Sequence, residues 1–173
     1  MNNSLEIRRA TPADADALVA GNLAMAAETE ARGLDPAVLR AGVEAVLRDA
    51  ERGTFWVATR GGRVVGQMLI TLEWSDWRNG WFWWIQSVFV VKEERQAGVY
   101  RALHEHVEKA ARARGDVCGL RLYVERENTI AQRVYQRMGM TETHYHLYEI
   151  DWSNERRPAD KPVPGETGRE RPR

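Results

Sequence analysis

The stretch Val88-Phe89-Val90-Val91-Lys92-Glu93-Glu94-Arg95-Gln96-Ala97-Gly98-Val99-Tyr100-Arg101 decides the fold. An apolar run ends, a short charged segment follows, and a helical pattern opens at a glycine. Beyond Gly98, Val99, Leu103, Val107 and Ala110 form one stripe, which predicts a helix over 98–114. Before Lys92, the run from Trp81 to Val91 is apolar at both parities, which predicts a strand buried on both faces. A strand that feeds a helix N-terminus leaves several backbone N–H groups unpaired beside a partial positive charge. Such an end suits a phosphate group. Ala97 and Gly98 keep the approach to the backbone clear. Arg95 and Arg101 flank it and can pair with phosphate oxygens. The same residues also fit an ordinary strand-to-helix connection, since one glycine makes neither a P-loop nor a dinucleotide fingerprint.

Upstream, Leu5 to Arg9 alternates and reads as a first strand. Thr11-Pro12 with Asp14 opens a helix expected to run to Arg32 and stop at Gly33. Asp35-Pro36 opens a second helix in the same way, ending near Gly53. Phe55 to Thr59 and Val64 to Leu72 read as a hairpin turned by Gly61-Gly62. Glu73 to Gly80 reads as a polar and aromatic loop.

Downstream, Leu120 to Val124 reads as a strand and Thr129 to Met138 as a helix closed by Gly139. His144 to Ile150 alternates again and reads as the last strand. The order β-α-α-β-β-β-α-β-α-β predicts one α/β domain over 1–152, built on a mixed sheet flanked by helices. From Ser153 to Arg173, large apolar residues almost vanish and Arg, Pro, Glu, Asp and Gly take over, which predicts a disordered tail.

The later helix carries a second pattern. Asn128, Ala131 and Tyr135 fall at i, i+3 and i+7 on one face, whereas Ile130, Val134 and Met138 form the apolar stripe. Asn128 can cap the helix or hydrogen-bond an amide of a ligand. Ala131 leaves space. The Tyr135 hydroxyl can donate a proton to a departing group. Plain packing also accounts for these residues, with Asn128 as an N-cap and Tyr135 as a half-buried aromatic.

Composition narrows the classes. The 173 residues suffice for one hydrophobic core, and their formal net charge is zero. With no basic field or stripe, nucleic acid is not an expected partner. No apolar run approaches the roughly 18 residues that span a bilayer, and no basic-then-apolar leader opens the chain. Neither a membrane partner nor a location other than the cytoplasm is therefore expected. The one cysteine, Cys118, reads as a small buried residue rather than a nucleophile, and no C-x-x-C or H-E-x-x-H pattern offers a metal cage.

Taken together, the two patterns resemble the GNAT superfamily of N-acetyltransferases. Its cofactor motif, Gln/Arg-x-x-Gly-x-Gly/Ala after a long central strand, appears as Arg95-Gln96-Ala97-Gly98-Val99-Tyr100, with Tyr100 where the family has a small residue. Its later pattern, Asn-x-x-Ala-x-x-x-Tyr-x-x-x-Gly-Phe, appears as Asn128, Ala131, Tyr135 and Gly139, with Met140 in the aromatic's place. The element order fits from Leu5 to about Asp151. The resemblance implies acetyl-CoA between the Trp81–Val91 and Leu120–Val124 strands, which part. It also implies a pantetheine arm on the backbone near Val88 and Val90, and a pyrophosphate on the amides from Gln96 to Arg101. Asn128 would contact the arm and Tyr135 would stand near the sulfur. No metal is required.

The implied reaction is direct attack of an amine on the thioester. The leading expectation is a primary amine on a small molecule. The alternatives are a protein lysine or N-terminus as acceptor, or a non-catalytic acyl-CoA-binding module, which would keep Gly98 but need no Tyr135. For the base, Glu73 and Asp76 lie beside the expected substrate mouth, and His144 and His146 lie on the expected last strand. Unperturbed imidazole titrates near about 6.5 and suits the role; proton loss through ordered water, with no single base, is also a reasonable route. Five of the seven tryptophans lie between Trp74 and Trp84. Trp83 and Trp84 read as core. Trp74, Trp77 and Trp81 suit either an acceptor pocket with affinity for a cation or a homodimer contact.

Overall fold

The computed structural model describes residues 4–29 and 33–152. The expected tail over 153–173 and the expected helix end at Arg32 lie outside them. The chain divides into two compact units, Met1–Met140 and Thr141–Arg173.

The first unit is a five-stranded mixed sheet in the order β1-β2-β3-β4-β5, flanked by helices. The strands are β1 (Leu5–Arg9), β2 (Thr54–Arg60), β3 (Arg63–Ser75), β4 (Gly80–Val90) and β5 (Val117–Arg121), and the helices are α1 (Ala15–Thr29), α2 (Pro36–Arg48), α3 (Val99–Arg114) and α4 (Thr129–Arg137). The expected order therefore holds through α4. β1 to β4 pair antiparallel with their neighbours, and β5 runs parallel to β4 after the α3 crossover.

Each face of the sheet buries its own core. Trp56, Ala58, Val65, Met68, Ile70, Trp83 and Ile85 meet Val99, Leu103, Val107 and Ala111 of α3. On the other face, Phe55 and Val57 meet Leu18 and Val19 of α1 and Val43 of α2. The alternation along β2 explains the split, since adjacent strand residues point to opposite faces. The helix starts follow local chemistry. Asp35 caps α2 by accepting from the Ala37 and Val38 amides at 2.8 and 3.3 Å, with Pro36 as the first helical residue. Gly61 and Gly62, at φ 56° and 80°, form the expected two-residue turn.

Four expectations are corrected. β3 continues through Ser75, so Glu73 and Trp74 lie on a strand paired to Phe82 and Trp81 rather than in a loop. β5 begins three residues early and ends at Arg121, because its ladder with β4 stops there. Cys118 is exposed on this last strand of the sheet. In the second unit, residues 141–152 form neither helix nor strand, so His144 to Ile150 is not a strand. Its alternating apolar residues have no ladder to join, and Tyr145, Leu147, Tyr148, Ile150 and Trp152 are exposed.

Asp14 ties the start of α1 to β1. Its carboxylate accepts from both terminal nitrogens of Arg8 at 2.8 Å and reaches back to the Thr11 amide at 2.7 Å. The Arg8 hydrogen bond leads in holding this carboxyl down to about 2, from an ordinary 3.8. A depressed folded value means stability that is full above the unfolded value and is lost as pH falls toward 2. Asp14→Asn should cost about 1–2 kcal/mol at neutral pH. It should also flatten the fall in stability between the unfolded and folded values, read by denaturant titration across that range. An unaltered acid profile would contradict the assignment.

Candidate active site

The central feature is a gap. β4 pairs with β5 only from Trp81↔Val117 to Trp84↔Arg121. β4 then continues to Val90 against β3 alone, so Ile85 to Val90 present an edge with no β5 partner. A bulge marks the parting: Ile70 faces Ile85 and Leu69 faces Ser87, leaving Gln86 as the extra residue. A bulge bends its strand and increases local twist, which carries the second half of β4 away from β5.

At the end of that edge lies the glycine turn. Gln96 and Gly98 both adopt left-handed backbone, with φ 66° and 79°. Residues Arg95 to Gly98 are exposed, and a Cβ placed on Gly98 would meet nothing within 4 Å. The first bond of the α3 ladder runs from the Ala102 amide to the Gly98 carbonyl at 3.0 Å. The amides of Val99, Tyr100 and Arg101 therefore precede the ladder, as at any helix start. An open turn with free donors at a helix N-terminus fits a diphosphate such as that of coenzyme A.

The two flanking arginines differ. Arg95 donates to Glu28 at 2.7 Å and to the Val90 carbonyl at 3.0 Å, and its guanidinium lies over Phe89. It braces the turn against α1. Arg101 is exposed and forms no ion pair among the described residues. Tyr100 turns inward from the turn, packing on the α3 core, with its ring 5.8 Å from those of both His104 and Tyr135. Its bulk therefore lies away from the exposed side of the turn.

On α4, Asn128 caps the helix: its side-chain oxygen accepts from the Ala131 amide at 3.1 Å. Ala131 and Tyr135 are partly buried on the same helix. Burial pushes the Tyr135 phenol up, and burial followed by the neighbouring Tyr135 pushes Tyr100 up further. His104 is 2% exposed, neither ring nitrogen has a partner among the described residues, and burial holds its pKa down. The three groups form a neutral aromatic file from α4 into the core.

Glu73 joins a cluster on the opposite face of β4. One oxygen accepts from Arg121 at 2.7 Å and the other from the Trp84 indole. The Arg121 guanidinium lies 3.5 Å from the centre of the Phe82 ring. Gln86 donates to Thr71 at 2.7 Å and accepts from the Tyr123 hydroxyl at 2.7 Å. Ser87, beside the bulge, has a buried hydroxyl with no partner among the described residues.

Trp74 and Trp81 meet edge-on, with ring centres 5.0 Å apart. Trp77 is 87% exposed in the short helical turn over Asp76–Arg78. These three tryptophans and Asp76 occupy the hairpin end, where β4 and β5 are still paired, and are not brought to the glycine turn. Trp84, read as core, is only partly buried. His144 and His146 are exposed in the second unit, where His144 lies against Tyr145.

Sequence reasoning missed Gln86, Ser87, Arg121 and Tyr123. A polar pair inside an otherwise apolar strand was the available sign of the first two. Arg121 and Tyr123 could be found only once the β5 register was known.

A parted strand pair beneath an open helix N-terminus defines an α/β protein whose β4 edge can take an extended, phosphate-bearing ligand. Comparison with known proteins agrees. The model of the acetyltransferase (GNAT) family matches residues 23–140. A solved protein from Clostridium difficile 630, described as a possible acetyltransferase, is 42% identical, covers 85% of this chain and 97% of its own, and superposes with TM-score 0.81. An aminoglycoside N-acetyltransferase solved with CoA shares the fold at 17% identity, covering 88% of this chain and 97% of its own with TM-score 0.72. So does a ribosomal-protein-alanine N-acetyltransferase from Brucella melitensis biovar Abortus 2308, at 16% identity, 87% and 100% coverage and TM-score 0.71. No curated protein sequence matches the chain. The chain belongs to the acetyltransferase (GNAT) family and is an acyl-CoA-dependent N-acetyltransferase. No helix among its described residues is long and apolar enough to cross a membrane.

The two buried phenols carry a pH signature. Both stay protonated where an unfolded tyrosine, at 10.0, has begun to ionise. Their contribution to stability is full below that unfolded value and is lost as pH rises from it toward the higher folded values. Tyr100→Phe and Tyr135→Phe should each make alkaline unfolding less steep and remove one late-ionising phenol from an ultraviolet titration. Phenols that ionise together with the exposed tyrosines would contradict the packing.

Proposed function

We propose that the chain transfers an acetyl group from acetyl-CoA to a primary amine on a small molecule, with Tyr135 as the acid. The observation that carries this reading is the unpaired edge of β4 from Ile85 to Val90, ending at the open turn of Gly98.

Acetyl-CoA would supply a thioester whose carbonyl accepts the amine's lone pair and releases a thiolate. The amides of Gln96 to Arg101 and the Arg101 guanidinium would hold the diphosphate. The backbone near Val88 and Val90 would pair with the pantetheine arm, and one of its N–H groups would polarise the carbonyl. Asn128 keeps its amide nitrogen for the same arm, because its oxygen is spent on the cap. Ala131 leaves room beside it. Burial keeps the Tyr135 hydroxyl protonated and able to donate to the departing sulfur. Holding both reactants along one edge makes the encounter local and supplies much of the rate.

The acceptor side is the patch of Thr71, Glu73, Trp84, Gln86 and Tyr123. It is compact and aromatic, with Gln86 tied to both neighbours, which favours a small amine over a peptide. Glu73 can act as base only by sharing an oxygen already given to Arg121 or Trp84. Release of the amine proton to water along Thr71 and Gln86 needs no such rearrangement and is the preferred route. Trp74, Trp77 and Trp81 lie beyond this patch on the hairpin, where the exposure of Trp74 and Trp77 suits an outer wall for a larger acceptor or a dimer contact.

The test is a panel of primary amines incubated with acetyl-CoA, with thiol release as readout. Gly98→Glu should abolish acetyl-CoA binding in calorimetry, by placing a negative side chain among the phosphate donors, in a variant that circular dichroism shows to be folded. Tyr135→Phe should lower kcat by roughly 10²–10⁴-fold, the usual worth of a general acid, with little change in acetyl-CoA affinity. Unchanged binding in the first variant, or unchanged turnover in the second, would remove that residue from the mechanism.

A further inference from the structure

Between β4 and Gly98 the chain makes two tight turns in succession. The Arg95 amide bonds to the Lys92 carbonyl at 3.2 Å, and the Ala97 amide to the Glu94 carbonyl at 3.4 Å. In the second turn Arg95, at φ −67° and ψ 147°, is followed by Gln96 at φ 66°. This is the pattern of a type II turn, whose third residue is ordinarily Gly or Asn. A glutamine in that conformation is uncommon and strained, and such strain persists only where the surroundings over-determine it.

Two ion pairs supply the constraint. Glu94 is paired to Arg60 of β2 at 3.1 Å. Arg95, directly before the strained residue, donates to Glu28 near the end of α1 at 2.7 Å and to the Val90 carbonyl at 3.0 Å. The other oxygen of Glu28 lies 3.8 Å from the Lys92 ammonium. One carboxylate on α1 thus holds both ends of the first turn. The Val90 contact reaches the open edge itself. Val91 donates to the Val65 carbonyl at 3.0 Å, so in this antiparallel ladder the backbone groups of Val90 point away from β3. On the far side Gly98 leads into α3, whose Val99 is 1% exposed and set in the core. Gln96 and Ala97 therefore bridge two anchored points. α1 does not depend on the pair, because Leu18 and Val19 bury its other end against β2.

We propose, on the reading that the acetyl-CoA diphosphate lies on the amides from Gln96 to Arg101, that Glu28 is a positioning residue for the cosubstrate: through Arg95 it keeps Gln96 left-handed, so that the diphosphate meets a turn already formed. Removing Glu28 has a second effect of opposite sign, since it releases two cations near the phosphates. Arg95 and Lys92 are 40% and 71% exposed, and charge at such positions is screened by water and salt. The loss of the formed turn outweighs that gain.

The probe is acetyl-CoA, added to the full chain. Glu28→Gln should weaken its binding roughly tenfold in calorimetry, the scale of one strained backbone conformation. Thermal unfolding should stay close to that of the unaltered protein, because an exposed ion pair adds little stability. In turnover with an amine from the panel, the KM for acetyl-CoA should rise while kcat is kept. Arg95→Gln, which breaks the tie from its other end, should weaken binding likewise. Adding Gln96→Gly to Glu28→Gln should restore most of the lost affinity, because glycine takes a positive φ without strain. Unchanged affinity in Glu28→Gln overturns the proposal. Tighter binding overturns it too, and makes Glu28 a rival of phosphate for Arg95. Weaker binding that Gln96→Gly does not restore means that charge rather than backbone carries the effect, which also overturns it. Normal binding in Gly98→Glu would remove the phosphate reading and this inference together. Loss of binding there, with Glu28→Gln unaffected, would remove this inference alone.

Discussion

Parallel pairing between β4 and β5 stops at Trp84 and Arg121, and the site follows from that stop. A strand edge inside a protein normally finds a partner, because unpaired backbone donors and acceptors are costly to bury. Here the Gln86 bulge bends β4 before the ladder can continue. The residues beyond it keep β3 on one side and an open edge on the other. An extended ligand with amide groups can complete that edge as a strand would. The proposed recognition of the cosubstrate is in this sense an interrupted sheet.

The helix that completes the site is placed by packing. Gly66 of β3 lies directly under the first turn of α3, where an added Cβ would come within 2.7 Å of a Val99 methyl. Its absence lets α3 settle on the sheet with its N-terminus at the end of the gap. Val99, Leu103 and Val107, each at most 1% exposed, fix the helix in that position. Gly98 then reverses the chain in a left-handed conformation that L side chains seldom adopt. One glycine sets the depth of the helix and the other the direction of its entry. Arg95 holds the turn from outside through Glu28 and the Val90 carbonyl, a structural use for a residue that resembled a phosphate ligand.

The parts legible in the sequence were those encoded locally. The Asp35-Pro36 start, the Gly61-Gly62 turn, the α3 stripe and the Gly98 turn each depend on neighbours in the chain, and each lies where the pattern put it. Long-range pairing was less legible. Val117 and Cys118 carry no strong strand signal, yet they pair because α3 delivers them beside Trp81. His144 to Ile150 has the alternation of a strand and forms none, since a period of two states a preference and a ladder requires a partner. Glu73 shows the same limit within the site. The sequence placed an acid near the mouth, but only the register Glu73↔Phe82, with Arg121 across β4, reveals that the acid already has its partners.

This distribution of partners bears on the chemistry. Groups already satisfied, such as Glu73 and Arg95, hold the frame and are poor candidates for exchanging protons during turnover. Where the frame opens, the groups left without partners include the edge of β4, the Ser87 hydroxyl and the first amides of α3. Tyr135 stands between these classes, since burial leaves its hydroxyl neutral while its ring is held against Tyr100. A neutral phenol in a fixed position can give a proton to a thiolate and recover it from water, whereas an exposed one would spend its orientation on solvent. The tyrosine's proposed use as an acid therefore rests on the packing of α4 against the start of α3, the same helix end proposed to hold the phosphate.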